Sequence, residues 1–216
     1  MTSFNFPFST CETCKSSGHP VQPWSTLVNA ISTIILIVAA TLARQVPIKI
    51  ALSSFALFEA WHTFSHFTHL NNINHTNVVH VLSYGMSFAS LYAILTLSKS
   101  NMTAWNIWVL IVLIGIDVYA WLIIKGILPI FTSLGIFAFI ISSQYAKLPS
   151  RFKSCLPYML GGVVLLLGLL VNEIVNCERM MDSYKFPYHV LVEIVGLALF
   201  VALAILFLDW DRMECN

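Results

Sequence analysis

The groups in this chain that could do chemistry are a few histidines, carboxylates and serines set in apolar sequence. They are densest in Phe58-Glu59-Ala60-Trp61-His62-Thr63-Phe64-Ser65-His66-Phe67-Thr68-His69. At about 100° per helical residue, Glu59, His62, Ser65, His66 and His69 fall within roughly a third of the circumference. One face of an otherwise apolar helix is therefore rich in imidazole, and it should face other protein rather than lipid. His80 follows further on, and His189 precedes Glu193 by one helical turn, so that pair shares a face. Three imidazoles and a carboxylate make a zinc shell. Zinc favours four ligands in a tetrahedron, and a catalytic site takes three from the protein and leaves one position for water.

The elements that must position these groups are membrane spans. Apolar runs near or above about 18 residues occur at Trp24–Leu42, Ile48–Phe67, Val78–Leu97, Ala104–Ile124, Leu128–Tyr145, Cys155–Ile174 and Tyr188–Leu208, the fifth being shortest. They predict an all-α polytopic membrane protein, a seven-transmembrane helix bundle at 24–208, with a polar N-terminal segment at 1–23 and a short cytosolic tail at 209–216. Short polar connections separate the runs, among them Asn71–Asn77, Ala146–Ser154 and Asn176–Pro187. Composition agrees: 58% of the 216 residues are hydrophobic and 10% charged, against roughly 25% charged in soluble domains. A net charge of +1 without clustered Lys and Arg argues against nucleic acid as a partner. No feature specifies an oligomeric state.

Residues 1–23 lack the basic start and apolar core of a signal peptide, so the first helix reads as an uncleaved insertion signal. An outside or lumenal N-terminus and a cytosolic C-terminus put Arg44, Lys49, Lys99, Lys147, Arg151, Lys153 and Arg212 inside. Only Lys15, Lys125, Arg179 and Lys185 then lie outside, as the positive-inside rule favours. This topology sets the end of the second helix and the starts of the third and seventh at one membrane face. Ser65, His69, His80, His189 and Glu193 then lie at similar depth.

Polar side chains in a bilayer also join helices by hydrogen bonds, but several positions converging at one depth favour metal binding over packing alone. Asp117, in the fourth span, reads as a hydrogen-bonded structural carboxylate with no partner to name. Glu173, with Asn172 and Asn176, reads as interfacial rather than as support for the site. Cys11, Cys14 and Cys177 share the N-terminal face. Pairing of Cys11 or Cys14 with Cys177 and free thiols are equal readings, and a metal site of Cys11, Cys14 and His19 ranks below both, with only three ligands at an unusual spacing.

The pattern Ser65-x3-His69, with His80 eleven residues later, and His189-x3-Glu193 in the last helix resembles the CREST superfamily of seven-helix membrane hydrolases, and most closely its alkaline ceramidases. Trp24-Ser25-Thr26-Leu27-Val28-Asn29 resembles the Trp-Asn-Thr-x-Ser-Asn stretch of their first helix. The resemblance implies Zn2+ held by His69, His189 and the residue at Glu193. It implies a lipid amide or ester as substrate, entering from the membrane, and Ser65 hydrogen-bonding the water or the developing oxyanion. Two positions depart: His80 stands where that family has Asp, and Glu193 where it has a second His. Either Glu193 or His80 therefore completes the metal shell. If His80 does so, Glu193 becomes a general base. Ceramidases also bind calcium through an acidic N-terminal segment. Here Gln22 stands at a Glu position and Glu12 is the only acid among the first 23 residues, so no Ca2+ site is expected. The superfamily also contains adiponectin and progestin receptors, which keeps open a non-enzymatic, receptor-like protein with a structural metal. A proton or metal transporter using Glu59, His62, His66 and Asp117 is the third reading.

Overall fold

A computed structural model of the chain describes residues 23–68, 73–124, 128–184 and 188–214. Cys11, Cys14, His19, Gln22, His69 and Cys215 fall outside the described residues, as does the side chain of Cys177. The described residues form seven α-helices without a strand: α1 (Pro23–Leu42), α2 (Val46–Thr68), α3 (Ile73–Leu97), α4 (Ala104–Tyr119), α5 (Leu128–Ser143), α6 (Ser150–Tyr184) and α7 (His189–Glu214). A π-helical turn, Ala120–Ile124, continues α4. By length and composition five helices could cross a membrane: α1, α3, α4, α6 and α7. α2 is interrupted by Lys49, Glu59 and its histidines, and α5 has only 16 residues.

Three boundaries have a local cause. α3 ends where Lys99 adopts a left-handed backbone (φ 49°). Lys99 N–H then bonds Thr96 O and Ser100 N–H bonds Leu95 O, the paired closure of a Schellman turn with lysine in the usual glycine position. α4 begins at Thr103, whose hydroxyl accepts Asn106 N–H at 3.2 Å. α6 is longer than its apolar run, starting at Ser150 rather than Cys155 and absorbing most of the expected connection Asn176–Pro187. Apolarity measures what lipid tolerates, whereas helix formation needs only favourable backbone propensity, which Arg151, Lys153, Glu178 and Met180 supply. The Pro149 carbonyl accepts Lys153 N–H at 3.0 Å and so opens the helix, a place where proline costs no hydrogen bond. α7 likewise runs past Leu208 to Glu214, into the expected tail.

α1, α2 and α7 pack together, α6 lies on α7, α3 on α2, and α5 joins α3 to α4. Phe55 of α2 is fully buried and meets Phe137 of α5 and Phe200 and Phe207 of α7 at centroid distances of 5.6–6.3 Å. Lipid removes most of the hydrophobic drive between helices, so such packing and small residues must hold the bundle. α1 meets its neighbours through Ser25, Asn29, Ser32, Leu36 and Ala39. α3 buries Ser83, Ser87 and Ser90, each hydroxyl donating to the carbonyl one turn back. At Gly162 of α6 a Cβ would stand 2.7 Å from Leu199 Cδ2 of α7, so glycine lets these two helices approach.

One end of the bundle is tied by charge. Asp211 of α7 accepts the backbone N–H of Arg44 at 2.8 Å and of Gln45 at 2.6 Å, at the start of α2. Arg151, at the start of α6, pairs with Asp209. The end of α2 and the start of α7 therefore lie together at the opposite end.

Candidate metal centre

At that opposite end α2 contributes His66, and α7 contributes His189 and Glu193. His66 Nε2 lies 3.0 Å and His189 Nε2 2.8 Å from the same oxygen, Glu193 Oε1. The one-turn spacing of His189 and Glu193 brings the α7 pair together, and α2 packing on α7 brings His66 to them. The two imidazole rings are 5.2 Å apart. Among the described residues this is the one group of three His, Cys, Asp or Glu side chains whose candidate ligand atoms all fall within 4.8 Å of one another.

A third helix supports the group. Glu173 of α6, 1% exposed, lies 2.8 and 3.0 Å from His189 Nδ1 through its two oxygens. Glu173 is thus no interfacial residue. The apolar pattern of α6 placed it at a helix end, but only the packing of α6 on α7 reveals which way it faces. His62 stacks at 6.3 Å on His66 one turn earlier in α2, and its Nδ1 lies 3.3 Å from the Phe58 carbonyl. Glu59 is buried on the same helix. Ser65 is buried too, its hydroxyl donating to the His62 carbonyl at 2.8 Å.

The donor set fits a transition metal. Two imidazole nitrogens and a carboxylate form a known zinc shell, whose bonds of about 2.0–2.2 Å place ligand atoms roughly 3.3 Å apart. The two nitrogen–oxygen separations fall a few tenths of an ångström short of that, and all three donor atoms lie within 4.8 Å of one another. A carboxylate on the far nitrogen of a ligating histidine is the usual outer support of such sites. Glu193 is the most exposed of the three side chains, at 14%, so the group is not sealed.

Sequence reasoning singled out His189 and Glu193, which are in this group, and His69, which lies outside the described residues. It saw His66 on the imidazole face but assigned it to transport; the i, i+4 spacing from His62 gave no sign of which turn meets α7. His80 lies elsewhere. Its Nε2 is 2.5 Å from Asp117 Oδ2, with both side chains fully buried. Tyr84 OH donates to the same oxygen at 2.6 Å, and the Thr132 hydroxyl donates to Asp117 Oδ1. Asp117 is thus the hydrogen-bonded structural carboxylate expected, with α3 and α5 supplying its partners.

No family model matches this chain, and no curated protein or solved structure matches it.

Proposed function

We propose that this chain is a zinc-dependent membrane hydrolase of a lipid amide or ester, with seven spans, an outside or lumenal N-terminus and a cytosolic C-terminus. The carrying observation is the convergence of His66 Nε2 and His189 Nε2 on Glu193 Oε1, with Glu173 behind His189. His66, His189 and Glu193 would hold the metal, and His69, three residues after His66, is the further donor this reading retains. Zinc, when bound there, supplies Lewis acidity to a carbonyl and makes water a nucleophile at neutral pH.

The chain's own residues do the rest. Glu173 orients the His189 ring and holds a proton on Nδ1, so that loss of the Nε2 proton, which Glu193 accepts in this structure, would leave a lone pair there for a metal. Ser65 Oγ gives its hydrogen to the His62 carbonyl, so its role toward a substrate oxyanion requires a rotamer change. The substrate's acyl chain would lie between apolar helix faces, as the exposed Phe64 and Phe67 beside His66 suggest. Orientation rests on the basic residues Arg44, Lys147, Arg151 and Lys153, which cluster at the end away from the site.

Elemental analysis of the purified full chain tests this reading. Stoichiometric zinc in the parent, lost in a His66→Ala, His189→Ala double variant, is expected. Hydrolysis of a panel of lipid amides and esters by the parent, and not by that variant, is the second expectation. A parent without metal would overturn the proposal. Stoichiometric zinc without hydrolysis on any substrate would favour a receptor-like protein whose metal ties α2 to α7.

A further inference from the structure

The polar cluster on α3, α4 and α5 shares no side chain with the His66–His189–Glu193 group, and the proposed hydrolysis makes no use of it. Asp117 receives three contacts: His80 Nε2, Tyr84 OH and the Thr132 hydroxyl. Both hydroxyls donate to it, so the carboxylate serves as acceptor and His80 Nε2–H as the third donor. With a single ring proton placed on Nε2, the imidazole presents a lone pair at Nδ1. That atom is fully buried and has no hydrogen-bond partner among the described residues.

The ring is held firmly. Trp121 meets it edge-on at 4.7 Å and Tyr84 at 5.2 Å. Trp121 is itself fixed, its Nε1–H donating to Asn77 Oδ1 at 2.8 Å, one turn before His80 on α3. The π-helical turn Ala120–Ile124 carries Trp121. Such turns recur at functional sites, because the wider turn re-aims side chains. Two aromatic rings and a triply bonded carboxylate thus fix one unpaired acceptor in an apolar interior. A merely structural dyad needs no such arrangement, since an apolar pair would pack at less cost.

We propose that His80 Nδ1 is the binding atom of a second site, one that takes a hydroxyl donor: water or the alcohol group of a membrane lipid. A neutral donor suits the position. The Asp117 charge is already met by three donors, and an ammonium would arrive with a charge that nothing further compensates. A hydroxyl supplies the one missing hydrogen bond and brings no charge.

The test is 15N NMR of the full chain, labelled in histidine and reconstituted in phosphatidylcholine vesicles. His80→Gln assigns the Nδ1 resonance. Should that variant fail to fold, Tyr84→Phe assigns it instead, by perturbing the ring that touches His80. The probe is 1-dodecanol. A hydrogen-bonded acceptor shift before addition, with magnetisation transfer from water, identifies water as the donor. A bare lone-pair shift that moves to the bonded value with 1-dodecanol identifies a lipid alcohol. A bare lone-pair shift under both conditions, or a protonated Nδ1, overturns the proposal.

Discussion

His189 Nδ1 lies 2.8 Å from Glu173 Oε2, so a residue of α6 sets the orientation of the ring that opens α7. A carboxylate in this position raises the basicity of the opposite nitrogen and fixes its direction. Glu173→Gln keeps the shape and removes the charge. It should weaken metal affinity about 10–100-fold, read by competition with a fluorescent zinc chelator. Unchanged affinity would mean that His189 is not a ligand.

Metal removal gives a second expectation. A ligand bound only by the folded state stabilises it by mass action, roughly 2.7 kcal/mol at a hundredfold excess over Kd. Dialysis of the detergent-solubilised chain against a chelator should therefore lower its melting temperature, and added zinc should restore it. His66→Ala should melt at the same temperature with and without chelator. A chelator effect that persists in that variant would place the metal elsewhere.

The sequence carried the helices and the imidazole face of α2, because an apolar run and a 100° period are local properties. His189 and Glu193 were legible for the same reason, being one turn apart on one helix. The assignment of His66 was not. His62, His66 and His69 share a face, and the turn that meets α7 depends on how far α2 slides along its neighbour. Asp117 shows the same limit: its partners come from α3 and α5, and no spacing within α4 announces them. The length of α6 was hidden for another reason, since its polar ends are good helix formers that hydropathy treats as loop.

Asp211 makes a third expectation, at the end of the bundle away from the metal centre. It accepts two backbone N–H groups at the start of α2, and losing a cap costs about 0.5–2 kcal/mol. Asp211→Ala should lower stability by about that much in thermal unfolding, while zinc content stays at the parent value. Asp211→Asn retains one acceptor and should fall between the two. A loss of zinc in either variant would show that the two ends of α2 are coupled.

The cluster around Asp117 should respond more severely. Asp117→Ala leaves His80 Nε2–H, the Tyr84 hydroxyl and the Thr132 hydroxyl without their shared acceptor in a fully buried place. Breaking a buried pair by removing one partner costs about 3–5 kcal/mol, so this variant should fold poorly. Asp117→Asn keeps one carbonyl oxygen and adds an amide donor. Its amide can face His80 and turn the imidazole to the tautomer protonated on Nδ1, as happens when an orienting carboxylate becomes an amide. The expected cost is about 1–3 kcal/mol, with the His80 15N spectrum showing the proton moved from Nε2 to Nδ1. Zinc content should remain at the parent level, because this cluster and the His66–His189–Glu193 group share no side chain. Parent-like stability of Asp117→Ala would mean that the three donors find other partners and that Asp117 is not what holds α3, α4 and α5 together.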